Sequence, residues 1–313
     1  MIGFILKRLL VALPTLLAVL TIVFLFVRVA PGDPALVILG DSATQEALEA
    51  LREQLGLNKP LLAQYLDFMG MVLSGNLGIS MLSGRPILDE VWEVLPYTVE
   101  LTVASLTIGV IVGVPLGIVS ARRRNGWADY VARVISLVGL SFPAFVSAVL
   151  LLLVFAIQLR WFPVISSASL EDPAERLRSL ALPAFNLGLI MLAYITRVTR
   201  SSMLGVLSED YIRTARAKGV PGRMVVWRHA LRNALIPVVT VVGLYLGVLI
   251  GNSVLTEIVF NRPGLGKLIV GALNQRDYTM LQGLMVIYAF IIVLCNLLTD
   301  MTYGLIDPRV KRQ

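Results

Sequence analysis

The sequence predicts an all-α membrane protein with six transmembrane helices, and three observations carry that reading. The 313 residues are 57% hydrophobic and only 15% charged, against roughly a quarter charged in soluble domains. Six apolar blocks recur along the chain, each close to the ~20 residues that a helix needs to cross a hydrocarbon core of about 30 Å. The basic residues concentrate in alternate intervals between those blocks. The mean hydropathy of +0.81 agrees.

The blocks cover residues 9–29, 95–119, 131–159, 180–199, 234–256 and 281–303. The fourth is the thinnest, with clean apolar sequence only over residues 181–195. Prolines lie in or beside several blocks, including Pro14, Pro143, Pro183 and Pro237. Within a bundle such prolines are tolerated and mark kinks. The first block follows Lys7 and Arg8 as a signal peptide would. A cut after Ala30, however, would place Arg28 at the small-residue position and Pro31 just beyond, so an uncleaved anchor is expected.

Orientation follows from Lys and Arg in the intervals. With both termini in the cytoplasm, the inside segments hold 17 Lys and Arg against 5 Asp and Glu, and the outside segments hold 10 against 15. The net charge of +7 is therefore a topological signal, and nucleic acid is not an expected partner. All four tryptophans (Trp92, Trp127, Trp161, Trp227) flank blocks, as an aromatic belt requires.

Residues 30–94 make an external helical cap after the first span. Within it, SATQEALEALREQLG reads as an amphipathic helix, with Ser42 and Gln45 as a capping box. Leu48, Leu51 and Leu55 share one face and Gly56 stops the helix. Glu46, Glu49 and Glu53 lie on the other face, a candidate docking surface for an external partner. A second helix is expected over residues 61–73, after Pro60. The interval at residues 200–232 carries EDYIRTARAKG, which suits a short cytoplasmic helix. Glu209 and Asp210 stand at its start, Arg216 and Lys218 at its end, Gly219 is the stop and Pro221 lies beyond.

Chemistry-bearing motifs are missing. PGLGKL at residues 263–268 lacks the first glycine and the Ser or Thr of a phosphate-binding loop. The lone His229 makes no metal site, and the lone Cys295 makes no disulfide framework. Glu100, Glu257 and Asp300 fall near span ends, whereas an ion-coupled carrier needs ionisable groups at depth. An ion-coupled secondary carrier and a membrane-embedded enzyme stand as the rival readings.

The order of residues is more specific. EDYIRTARAKGVPGRMVVWRHALRNALIP resembles the coupling loop of ABC importer permeases, in the form found in the dipeptide/oligopeptide-type B subunit. Arg213, Thr214 and Ala215 occupy the Glu-Ala-Ala positions of the wider class, and Gly219 the glycine. LGLNKPLLAQY, GNLGIS, VFNRPGLGKLIV, RDYTMLQG and IDPR are similar to the same family in the same order. The resemblance implies a single permease domain over residues 1–313, with the 30–94 cap inserted before a five-span core at residues 95–303. It implies a bacterial inner-membrane, non-catalytic subunit that forms half of a peptide translocation path. Glutathione and nickel chelates are the alternative cargoes. The implied partners are a second permease, two cytoplasmic ATPase subunits that use ATP and Mg, and an external substrate-binding protein. This chain would bind no cofactor. The implied ATPase contact is the helix of Glu209, Asp210, Tyr211, Arg213, Thr214, Ala215, Arg216, Ala217, Lys218 and Gly219.

Overall fold

Apolar length sets where the long helices run, and capping sets where they stop. A computed structural model describes residues 2–29, 34–39, 43–54, 56–165 and 172–306. Among them are no named strands, only one isolated bridge between Ile79 and Pro86. The helices are α1 (Ile2–Val29), α2 (Pro34–Leu39), α3 (Gln45–Gln54), α4 (Leu61–Leu73), α5 (Ile87–Arg122), α6 (Trp127–Ser141), α7 (Ala144–Leu151), α8 (Pro173–Leu207), α9 (Asp210–Ala217), α10 (Gly222–Met224), α11 (Leu231–Val259), α12 (Leu265–Asn274) and α13 (Tyr278–Ile306). π-helical turns extend α7 over Leu152–Gln158 and join α10 to α11 over Val225–Ala230.

Five helices are long and apolar enough to cross a bilayer: α1, α5, α8, the run Gly222–Val259 and α13. A sixth crossing exists only as a bent pair, α6 with the α7 run, the chain turning by 102° from straight between them. The sequence reading treats residues 131–159 as one span. The break lies at Pro143, whose ring bars the helical conformation from the residue before it. Phe142 accordingly sits at φ −100 and ψ 133.

The fourth span is longer than its apolar run. Asp172 caps α8, accepting from the N–H groups of Ala174 (2.9 Å) and Glu175 (3.2 Å), and Pro173 takes the first helical position, where no N–H is needed. α8 has 35 residues, about 52 Å at 1.5 Å per residue. Of its apolar window 72% is buried, against 22% to 33% for the other four. Protein rather than lipid surrounds it, so continuous apolarity is not required of it. Three glycines of α5 make room: a Cβ on Gly109 or Gly117 would stand 2.5 Å from the Cβ of Met191 or Thr199, and one on Gly113 3.0 Å from Ile195. Close approach over small residues is how helices associate where lipid gives no hydrophobic drive.

The chain divides into two compact units, one formed by the described residues among 1–5, 97–263 and 295–313, the other by those among 6–96 and 264–294. In the first unit, Leu101, Leu187, Met191, Ile195, Val238 and Leu249 form the central core. Near the start of α5, Glu100 accepts from Arg176 (3.1 Å) and from the fully buried Arg262 (2.7 Å). Both guanidinium groups lie over the Tyr97 ring, at 5.5 and 5.6 Å. Near the end of α5, buried Asp129 gathers Ser120, Asn125 and Arg200.

In the second unit, Leu20, Val23 and Phe24 of α1 pack on Phe68 of α4 and Val286 of α13. Asp277 accepts from the Met280 N–H (2.9 Å) at the start of α13 and from the Ser80 hydroxyl (2.6 Å), fixing the 80–82 loop. α4 runs over Leu61–Leu73 as expected. In α3, Leu48 is buried, Leu51 half-buried, and Glu46, Glu49 and Glu53 are exposed. Ser42 and Leu55 lie outside the described residues. The cap at the start of α3 is instead Thr44, whose hydroxyl accepts from the Ala47 N–H at 3.3 Å. Gly56, at φ +66, ends the helix.

Candidate functional site

α9 is a short basic helix held in place by its neighbours. The expected interval at residues 200–232 is mostly helix: α8 continues to Leu207 and the next helical run starts at Gly222. Only residues 208–221 connect them. Ser208 closes α8, its hydroxyl donating to the Gly205 carbonyl (2.6 Å). Glu209 is the N-cap of α9, with no side-chain cap bond.

One apolar side chain fixes α9 to the first unit. Ile212 has no exposed surface and packs with Ile118 and Ala121 of α5, Met203 of α8, Val225, Val226 and Ala230 of the π turn, and Ala234 of α11. Burying an isoleucine contributes about 2 kcal/mol. Beside it, the Tyr211 hydroxyl accepts from Nδ2 of Asn233 (2.8 Å), a second tie to α11. The C-terminus is locked as well. Gly219 takes φ +77, its N–H reaches the Arg216 carbonyl (2.9 Å) and the Val220 N–H reaches that of Ala215 (3.2 Å). These paired bonds form the Schellman arrangement, in which a left-handed glycine satisfies the last carbonyls and the next residue packs back. Val220 does so, against the Ile212 cluster.

The opposite face is open. Glu209, Asp210, Tyr211, Arg213, Thr214, Arg216, Ala217, Lys218 and Gly219 are exposed and Ala215 is half-buried. Arg213 pairs loosely with Asp210 at 3.4 Å, and the Thr214 hydroxyl donates to the Asp210 carbonyl (2.9 Å). A Cβ on Gly219 would meet nothing within 4 Å in this chain. Arg122, Arg124 and Arg216 line a hollow of about 490 Å³ beside α9, with Ser208 and Gly222. The arrangement is a cationic surface on a rigid base, suited to docking an acidic partner.

Glu46, Glu49 and Glu53 belong to the second unit and take no part in this surface. Among polar residues within spans, Asn186 is fully buried, donating to the Ala144 carbonyl (3.0 Å) and accepting from Ser147 (2.7 Å). Ser253 donates to the Ile250 carbonyl (2.8 Å). Asn186 thereby ties α8 to α7, whereas the Ser253 bond stays within α11. Among the described residues no group of three or more His, Cys, Asp or Glu side chains is placed to hold a metal.

The sequence profile of the binding-protein-dependent transport system inner membrane component family matches residues 113–312, and the profile of its N-terminal part matches residues 1–102. The chain belongs to this family of ABC importer permeases. It is therefore a multi-pass inner-membrane component of a transport system that works with substrate-binding and ATPase partners. The dipeptide transport system permease protein DppB of Alkalihalophilus pseudofirmus is 41% identical, over 99% of this chain and all of that one. The glutathione transport system permease protein GsiC of Pectobacterium atrosepticum is 44% identical over 99% of both chains, and that of Escherichia coli 42%. In fold, the permease resembles a chain of the MetNI methionine ABC transporter in an inward-facing conformation. The TM-score is 0.55 at 18% identity, over 69% of this chain and 94% of that one.

Proposed function

We propose that this permease forms half of the translocation path of a peptide-class importer and receives ATP-driven motion through α9. The observation that carries the coupling role is the rigid seating of α9: Ile212 buried among α5, α8 and α11, Tyr211 bonded to Asn233, and the end locked at Gly219. A push on a helix so fixed moves three spans, whereas a flexible loop would absorb it. In this reading both termini and residues 208–221 are cytoplasmic, residues 30–94 are external, and Glu46, Glu49 and Glu53 meet the binding protein. A second permease and two ATPase subunits complete the importer. ATP and Mg act on the ATPase subunits, and this chain is non-catalytic and binds neither. The dipeptide and glutathione permeases among its relatives support small peptides as cargo.

The test is uptake of dipeptide and of glutathione by the complete importer in proteoliposomes, with ATP hydrolysis measured alongside. Gly219 separates the cap role from the docking role. Gly219→Ala strains the left-handed turn and costs about 1 kcal/mol of local stability. Gly219→Asn tolerates that conformation but adds a side chain to the open face. If the ATPase seats against Gly219, Asn abolishes uptake and makes ATP hydrolysis unresponsive to the loaded binding protein, while the permease still assembles in the membrane. Uptake at the wild-type rate by Gly219→Asn would remove α9 from the coupling role.

A further inference from the structure

Between α6 and α8, within the first unit, lies a hollow of about 560 Å³ that the transport cycle does not explain. Its polar lining includes Arg133, Arg197 and Arg200, with the hydroxyls of Ser136 and Thr196. Two of the arginines share one carboxylate: Arg200 binds Asp129 through Nε (2.6 Å) and a terminal nitrogen (2.9 Å), and Arg133 reaches it at 3.2 Å. Arg197 is exposed, and among the described residues no carboxylate lies within ion-pair distance of it. Three guanidinium groups thus line the hollow and two of them share one carboxylate, so the hollow carries excess positive charge.

Its depth and its walls narrow the occupant. Tyr130 also lines the hollow and stacks on Trp127, with centroids 6.1 Å apart and rings 26° from parallel. The two rings are 57% and 78% exposed. Exposed aromatic rings at a span end settle at headgroup level, so the hollow opens there. Arg197 lies ten residues inside the end of α8, about 15 Å along the axis. On the α6 side the wall is apolar: Val134 and Leu137 line the hollow and remain exposed, and exposed Val138 continues their stripe, while Ser120 and Ser201 add polar lining elsewhere. A small polar cargo has no use for such a stripe, whereas an acyl chain does. A zwitterionic headgroup would bring its own cation against the arginines, whereas an anionic one brings only the phosphate charge they lack. Basic pockets between spans are suited to such headgroups.

We propose that this hollow binds the headgroup of an anionic phospholipid, with an acyl chain lying along Val134 and Leu137. The test uses the intact importer in mild detergent, incubated with dioleoyl phosphatidylglycerol or dioleoyl phosphatidylethanolamine, and native mass spectrometry to read retained lipid. The wild type retains the glycerol lipid and releases the ethanolamine lipid. The Arg133→Gln/Arg197→Gln variant retains phosphatidylglycerol about tenfold more weakly. Arg228→Gln/Arg232→Gln, which removes exposed arginines outside the hollow, leaves retention unchanged. Equal retention of both lipids by the wild type, or unchanged retention by the Arg133/Arg197 variant, overturns the proposal. Displacement of the lipid by millimolar alanyl-alanine but not by its amide assigns the hollow to the cargo and also overturns it. Should the double variant fail to assemble, Arg197→Gln alone leaves both Asp129 pairs in place, and wild-type retention there is equally fatal.

Discussion

Asp129 has no exposed surface, and besides its pair with Arg133 on the same helix it bonds to three other pieces of chain. It accepts from the Ser120 hydroxyl (2.5 Å) on α5, the Asn125 N–H (2.9 Å) in the connecting turn and Arg200 on α8. Asn125 is held at φ 61 in that turn. Removing one partner of a buried pair leaves the other charge stranded, at a cost of about 3 kcal/mol. Asp129→Asn is therefore expected to lower the thermal midpoint of the purified importer, and Arg200→Gln in the same chain to recover part of the loss. A double-mutant cycle with no coupling between the two would show that the pair does not act as a unit. Neither partner was legible in the sequence as a pair, because 71 residues separate them. The cap at Gly219 was legible because its signal is local: acids first, bases last, glycine, then Pro221. The anchors of α9 were not, since nothing in the segment itself points Ile212 at α5 or Tyr211 at Asn233.

At the scale of elements, proline position and charge pattern act through simple geometry. The α6–α7 bend depends on Phe142 staying extended before Pro143. With legs of about 18 and 21 Å from the helical rise, spin labels at Tyr130 and Ile157 stand about 25 Å apart across the 102° bend. Pro143→Ala lifts the restriction, and the distance is expected to lengthen toward about 40 Å, the value for a straight helix. An unchanged distance would assign the bend to tertiary packing. Helix α3 supplies a second case. Its exposed Glu46, Glu49 and Glu53 stand opposite buried Leu48. Changing all three to Lys is expected to slow docking of the binding protein at low ionic strength and to matter less at high salt, because exposed charges chiefly affect encounter and are screened. Docking that is insensitive to the change at low salt would leave these residues as solvated surface. Hydrophobic periodicity announced α3 and α4, whereas the break at Pro143 was masked by an apolar run continuing on both sides of it.

For the whole molecule, the alternation of Lys and Arg between blocks makes a direct prediction about sidedness. In a Cys295→Ser background, Thr44→Cys is expected to react with an impermeant thiol reagent on intact spheroplasts, and Ser208→Cys only after permeabilisation. Both positions are exposed, so the reverse pattern would invert the proposed topology. Span number and order were readable because lipid imposes the same length on every crossing, and the one weak block was weak for a physical reason. Helix α8 is the least apolar of the five and has the largest buried share, 72%. Its most buried face rests on glycines of α5, which ends about 50 residues before α8 begins. Biogenesis must respect that order. By the time α8 leaves the ribosome, α5 with Gly109, Gly113 and Gly117 has already been made, so the fourth span is expected to enter the bilayer by folding onto the second rather than by its own solubility in lipid.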